Sequence, residues 1–297
     1  MNPKTYLAVS MIGASFSLPA TASAGTVNAS ASVRADAKAS VQAFKSATVL
    51  TEAGRDGAAA AKLRLGMREL RAAARTTNRM RVSANGNRAL LRVVRAERTI
   101  GQSTDASAGL LADVIADADA SVDVKMAATI SSLLVLHQRA VGALAATIDV
   151  ASDTVDAAAV KAIVELSTSA STVATSITQA IASADVSVKA TVTLSTALKL
   201  ATDTVSGGLA LLQDMSGDVS AEAQVSVDAA ISQVAGALVQ AQASLQALVG
   251  TMTAAGADAV GSIVLPTLTS LVGTVSLALS SDVRVQVAAG AGVAAGQ

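Results

Sequence analysis

Residues 231–252, ISQVAGALVQAQASLQALVGTM, decide the fold. Ile231, Val234, Leu238, Ala241, Leu245, Leu248 and Met252 follow alternating steps of 3 and 4, while Val239 and Val249 are the only large apolar residues off that stripe. A strand turns its side chains over every second residue and cannot produce this pattern; a helix with a heptad core does. The same rhythm runs through Ile130, Leu134, His137, Val141, Leu144 and Ile148. It recurs in Ile163, Leu166, Ala170, Val173, Ile177, Ala180 and Ala184, and in Leu194, Leu198, Ala201, Val205, Gly208, Leu212 and Met215. Stretches such as Asp185–Leu194 alternate like a strand, but the common period of four segments predicts helix everywhere after residue 104.

An aspartate followed by a Ser/Val/Ala cluster recurs at Asp119, Asp153, Asp185 and Asp218, at spacings of 34, 32 and 33 residues. Asp and Ser accept hydrogen bonds from the unpaired N–H groups of a first helical turn, so each cluster predicts a helix start. One unit is then a helix of about 28 residues, ~42 Å long, followed by a turn, and consecutive helices run antiparallel. Nearer the N-terminus, Val33–Glu52 reads as a helix, Gly54–Gly57 as a break and Ala58–Val82 as a second helix with Leu63, Met67, Leu70, Ala74 and Thr77 on its core face. Asn85-Gly86-Asn87 is a turn, and Arg88–Ile100 a short third helix. The expected fold is all-α, an elongated antiparallel bundle of long, Ala-rich helices.

The first 24 residues read as a secretory leader. Tyr6–Leu18 is an apolar run ended by Pro19, and Ala22-Ser23-Ala24 offers the small-x-small site after which a signal peptidase cuts. The run is shorter than the ~20 residues needed to span a bilayer. Without cysteine the chain has neither a lipidation site nor a disulfide. Removing the leader also removes Tyr6 and Phe16, so Phe44 is the one aromatic left. The core must therefore be built from Ala, Val, Leu, Ile and Met, with ~0.8 kcal/mol gained per buried alanine methyl against ~1.5–3 for Leu or Ile.

The chain is electrically neutral, yet residues 25–100 hold 15 basic and 5 acidic side chains and residues 101–297 hold 6 and 17. The expected organisation is accordingly a leader (1–24), a basic helical segment (25–100), an acidic long-helix bundle (101–287) and an Ala/Gly tail (288–297). Arg64, Arg68, Arg71, Arg75 and Arg79 are spaced 4, 3, 4 and 4 and share a helix face ~100° round from Leu63. Arg88, Arg92, Arg95 and Arg98 continue the theme. Such residues suit an anionic lipid surface, phosphates or lipopolysaccharide, or the acidic helices of the same chain. Nucleic acid is disfavoured, because no aromatic interleaves the arginines for bases to stack on.

Ala229–Ala257 and Ala259–Ser281 are free of charge and could form a hydrophobic hairpin. Ala259–Leu279 is long enough to span a bilayer. Gln233, Gln240, Gln242 and Gln246 lie off the core stripe, as on a water-facing bundle helix, and no Trp or Tyr marks an interface. A soluble form that later inserts, as helical pore-formers do, would reconcile both features; that likeness is one of composition and covers no motif.

Candidate catalytic and metal sites are few. Asp117-Ala-Asp119-Ala-Ser121-Val-Asp123 begins like a calcium loop but has Val122 where glycine is needed and Ala128 where a bidentate glutamate belongs, so these acids read as a helix start. His137 is the only histidine and falls on a core position, which predicts a structural role. Any serine nucleophile would have to share it. Gly207-Gly208 lies inside a helical pattern with no lysine following, so no phosphate loop and no cofactor site is expected. Asn28-Ala29-Ser30 fits the glycosylation pattern, and aromatic girdles for an outer-membrane barrel are missing. The sequence thus leads to an exported non-enzymatic helical protein, periplasmic or extracellular, with a structural or binding role. The alternative is a membrane-active protein that docks through the arginines and inserts residues 229–281. Its partners would be an anionic membrane surface, another envelope protein or a second copy of the chain.

Overall fold

The computed structural model describes residues 23–148, 153–183 and 185–215, together with helical positions 229, 231–236, 239, 243, 246, 249 and 269. The leader up to residue 22, the start site at Asp218, the tail from 288 and, apart from 269, the uncharged run 259–281 lie outside the described residues. Six α-helices follow one another: α1 Ser23–Glu52, α2 Asp56–Val82, α3 Asn87–Val114, α4 Val122–Ile148, α5 Asp153–Ala182 and α6 Val188–Met215, with a 3-10 turn, Ile115–Asp117, between α3 and α4. No strand occurs among the described residues. The all-α bundle of long helices is what the heptad spacing predicted, and helix lengths of 27–30 residues match one helix per sequence unit.

The helices form stacked antiparallel hairpins. Each packs on its hairpin partner and on the helix two places along the chain, so α1, α3 and α5 make one layer and α2, α4 and α6 the other. Side chains that bridge neighbouring hairpins are 62–67 residues apart, close to two sequence units: Arg98 with Glu165, Asp123 with Ser187 and Ser131 with Thr193. The repeat is therefore one helix in sequence and one hairpin in space.

The predicted stripes are the buried ones. Leu134, His137, Leu144, Ile163, Leu166, Ile177, Leu194, Leu198, Val205 and Leu212 are all fully buried. In the opening segment Ile231 and Val234 are buried and Val239 is 52% exposed, as their places on and off the stripe require. Leu238, Ala241, Leu245, Leu248 and Met252 lie outside the described residues. Serine and threonine, which weaken helices by competing for backbone partners, here return their hydroxyls to the carbonyl of the preceding turn: Thr77 to Ala73 at 3.1 Å, Thr147 to Ala143 at 2.8 Å and Thr178 to Ala174 at 2.8 Å. Thr191 and Thr193 do the same within α6, in the stretch whose alternation resembles a strand.

Several boundaries differ from the sequence reading. The third helix does not end at Ile100 but continues to Val114, so the change from basic to acidic composition falls inside one continuous helix. The predicted cap of α6 at Asp185 is replaced by Ser187, whose hydroxyl accepts from the Ala190 N–H. Asp119 does cap α4 as expected, with Oδ1 accepting from the N–H groups of Ser121 and Val122 at 2.8 and 2.9 Å. The turn at 85–87 is built on Gly86 with φ +77°, a backbone conformation that residues with a side chain rarely adopt.

Phe44 closes the core between α1 and α2. It is fully buried, and its ring lies over Gly66, where an added Cβ would come within 2.7 Å of Cζ. Phe44→Ala removes the largest buried surface in this hairpin and is expected to lower unfolding free energy by ~3–5 kcal/mol, measured by urea denaturation followed by far-UV circular dichroism. Gly66→Val has no space to occupy and should be at least as damaging as a one-methylene overpacking, ~1–3 kcal/mol.

Candidate anion-binding ridge and buried polar cluster

Helix α2 buries Ala59, Leu63, Gly66, Met67, Leu70, Ala73, Thr77 and Met80 against its neighbours. That face fixes the opposite one. Arg64, Arg68, Arg71, Arg75 and Arg79 are all exposed and form a single ridge, ~22 Å from first to last. Arg68 touches Glu69 of the same helix at 2.9 Å, with 71% of its side chain still in solvent. Among the described residues no carboxylate lies within ion-pair distance of Arg64, Arg71, Arg75 or Arg79.

The arginines of α3 are placed differently. Arg88 and Arg95 are exposed and Arg92 is half-buried, on a helix separated from α2 by a turn. Arg98 is drawn into the stack, where its Nε lies 2.5 Å from Glu165 of α5; Gln102 donates to the same carboxylate at 3.3 Å. Of the basic residues singled out in the sequence, the five on α2 come together on one ridge. The α3 set is carried by another helix, and its last member is neutralised within the chain.

Below Gln102 the α3–α5 seam leads into the core. Asp105, 5% exposed, holds the Nδ1 of the fully buried His137 of α4 at 2.8 Å and accepts a hydrogen bond from the Ser169 hydroxyl of α5. Thr104 lies 3.5 Å from the same Nδ1 and donates to the Gly101 carbonyl at 2.5 Å. The imidazole thus turns Nδ1 toward the carboxylate, while its Nε2 is buried without a hydrogen-bond partner among the described residues. His137 occupies the structural core position that its spacing predicted. A carboxyl, an imidazole and a hydroxyl do meet, yet the serine bonds to the aspartate and not to the histidine, so His137 is not placed to take the Ser169 proton. Local spacing does not single out Asp105, because no large apolar residue stands between Ile100 and Leu110 to mark its face. Continued in register past Ile100 and Gly101, the helix puts Asp105 on the same face as the buried Ala108, Leu111 and Ala112.

Other acids serve the helix ends. Asp119 is held below the usual carboxylate range by the Ser121 side chain and by the Ser121 and Val122 N–H groups, while Asp56, hydrogen-bonded to it from the start of α2, is pushed up. Asp123 is fully buried and accepts from the Ser187 N–H at 2.8 Å, tying α4 to the start of α6. Among the described residues no group of three or more His, Asp or Glu could hold a metal ion. None of the described helices is long and apolar enough to cross a membrane.

No protein-family model and no curated protein matches the sequence. The fold has counterparts among solved structures. A circular tandem repeat protein with novel repeat topology aligns with a TM-score of 0.53 at 11% identity, covering 90% of this chain and 51% of that one. The chain thus spans about half the length of that structure. A designed self-assembling cyclic homooligomer aligns with a TM-score of 0.35 at 12% identity, over 86% of this chain and 98% of that one. The first likeness places the chain among helical repeat folds, in agreement with its stacked hairpins.

Two side chains make the stack sensitive to solvent and mutation. Burial pushes the Glu97 carboxyl of α3 from its ordinary 4.5 up to about 7, only partly offset by Arg81. Below pH 4.5 Glu97 is protonated folded or unfolded; between 4.5 and about 7 only the folded form keeps its proton, so stability falls as pH rises and levels off above. Glu97→Gln is expected to abolish that decline and to be more stable than wild type above neutral pH by up to about 3 kcal/mol, read from urea midpoints across the pH series. Asp105→Ala takes away the carboxylate that faces the fully buried His137 Nδ1, while the Ser169 hydroxyl keeps the Leu166 carbonyl, and should cost ~3–5 kcal/mol. Adding His137→Leu should recover part of that loss, and strict additivity in the double-mutant cycle would show that the two side chains do not interact.

Proposed function

We propose that the protein is an exported, non-enzymatic helical scaffold that works in the cell envelope or extracellular space through the outer faces of its helices. One observation carries this reading: the side chains capable of chemistry are bonded to one another inside the stack, while unneutralised charge is concentrated on the α2 ridge. Asp105, His137, Ser169 and Glu165 all take partners within the chain. The arginines of α2, by contrast, point outward with no carboxylate at all but one of them. The leader-like N-terminus supports export, and the Ala22-Ser23-Ala24 site sets where the mature chain begins. An anionic membrane surface, another envelope protein and a second copy of the chain are the partners such faces suit.

The second reading, docking followed by insertion of residues 229–281, draws on the uncharged run 259–281. The glutamines off the stripe in 229–257 and the exposure of Val239 favour a water-facing helix there. Export is tested by recovering the protein from the extracytoplasmic fraction and determining its mass. Loss of residues 1–24, with Gly25 as the new N-terminus, is the expected result. A cytoplasmic protein that keeps its leader would overturn the export reading.

A further inference from the structure

We propose that the α2 ridge is a peripheral docking surface for an anionic phospholipid bilayer, holding the helix parallel to the membrane plane at headgroup level. This rests on the reading that the protein works through its outer helix faces. The solvent-facing positions of α2 step regularly from Gly57 and Ala61 to Arg64, Arg68, Arg71 and Arg75, so the first turns are low and the arginines project beyond them. Five exposed arginines on one face of a single helix can reach a plane together. They stand on a convex ridge, whereas a linear polymer is gripped by donors converging from the two sides of a groove.

Charge favours the same partner. The α1–α2 hairpin, residues 23–82, holds eleven basic and four acidic side chains, a balance of +7. One of those acids is occupied, Glu69 with Arg68. Arg34, Lys38 and Lys45 of α1 are also exposed and add to the positive charge of the hairpin. Arginine, rather than lysine, presents paired donors that match the oxygens of a phosphodiester. The ridge carries no large apolar side chain that could enter the acyl region; Val82, 81% exposed, sits at its far end. Adsorption is therefore electrostatic and does not disturb the bilayer.

The intact protein is mixed with phosphatidylcholine vesicles, with and without phosphatidylglycerol, and binding is read by flotation at low and high salt. Binding only to the anionic vesicles, reversed by salt and without release of an entrapped dye, is expected. The triple variant Arg64→Gln, Arg71→Gln, Arg75→Gln should lose about fivefold in partitioning per arginine, about a hundredfold in all. Lys125→Gln, Lys161→Gln, Lys189→Gln removes equal charge from exposed positions on α4, α5 and α6 and should bind nearly as wild type. Circular dichroism checks that both variants are folded, and the salt and lipid dependence of the wild type stands without them. Equal loss in both triples would reduce the effect to net charge and overturn the proposal. So would absence of binding, binding that survives high salt with dye release, or preference for heparin or polyphosphate over vesicles at the same salt. An exported protein that ignores vesicles loses this proposal alone; a vesicle-binding protein that keeps its leader loses the export reading alone.

Discussion

Among the described residues Phe44 is the one aromatic, and a core so built can be held only if helix backbones come close; this constraint shapes the rest of the molecule. Small side chains bury little area each, so contact has to be gathered over length, which is why the helices run to 27–30 residues. Glycine occupies the tightest crossings: Gly66 lies beneath the Phe44 ring, Gly101 against Leu166, and Gly208 against Ser167. At each of these a Cβ would overlap a side chain of the neighbouring helix. The alternation of small and large residues along the stripes is thus a packing device as well as a helix signal.

Close packing of alanine on alanine has a weakness, since shifting a stripe by one turn exchanges one small apolar residue for another. Directional contacts distinguish registers that methyl groups cannot. The α3–α5 seam supplies them: Arg98 and Gln102 on Glu165, then Asp105 on Ser169 and, from α4, on His137. Asp123 and Ser187 repeat the device between α4 and α6. Apart from Asp105–His137, which lies within the α3–α4 hairpin, these pairs are 63–67 residues apart, the offset of one hairpin, so the same contacts that set register also fix how hairpins stack.

Internal pairing leaves the surface charge uneven. Acidic residues of the later helices are drawn on as helix caps and seam partners, as with Asp119, Asp123 and Glu165. The basic residues of the first hairpin find few such partners, and the α2 ridge remains open to solvent. Glu97 stands apart from both patterns. Its burial in α3, only partly offset by Arg81 of α2, sets stability against rising pH.

Local spacing made the helices legible, because the pattern that decides between helix and strand is contained in a few successive turns. The buried faces of α4, α5 and α6, the turn at Asn85-Gly86-Asn87 and the exposure of the α2 arginines all follow from it. The continuity of α3 past Ile100 did not, since Gly101 and the small and polar residues after it carry no apolar stripe when read alone. They are polar because Asp105 and Thr104 face His137, and Gln102 faces Glu165, from helices not yet reached in sequence. The sharpest contrast is between Arg75 and Arg98, which share a residue type and a helical spacing. The sequence by itself determined that both stand on helices and off the apolar stripe. Only the tertiary structure decided that one faces solvent and the other is held by Glu165, because that carboxylate arrives from a helix 67 residues away and no local period encodes such a meeting.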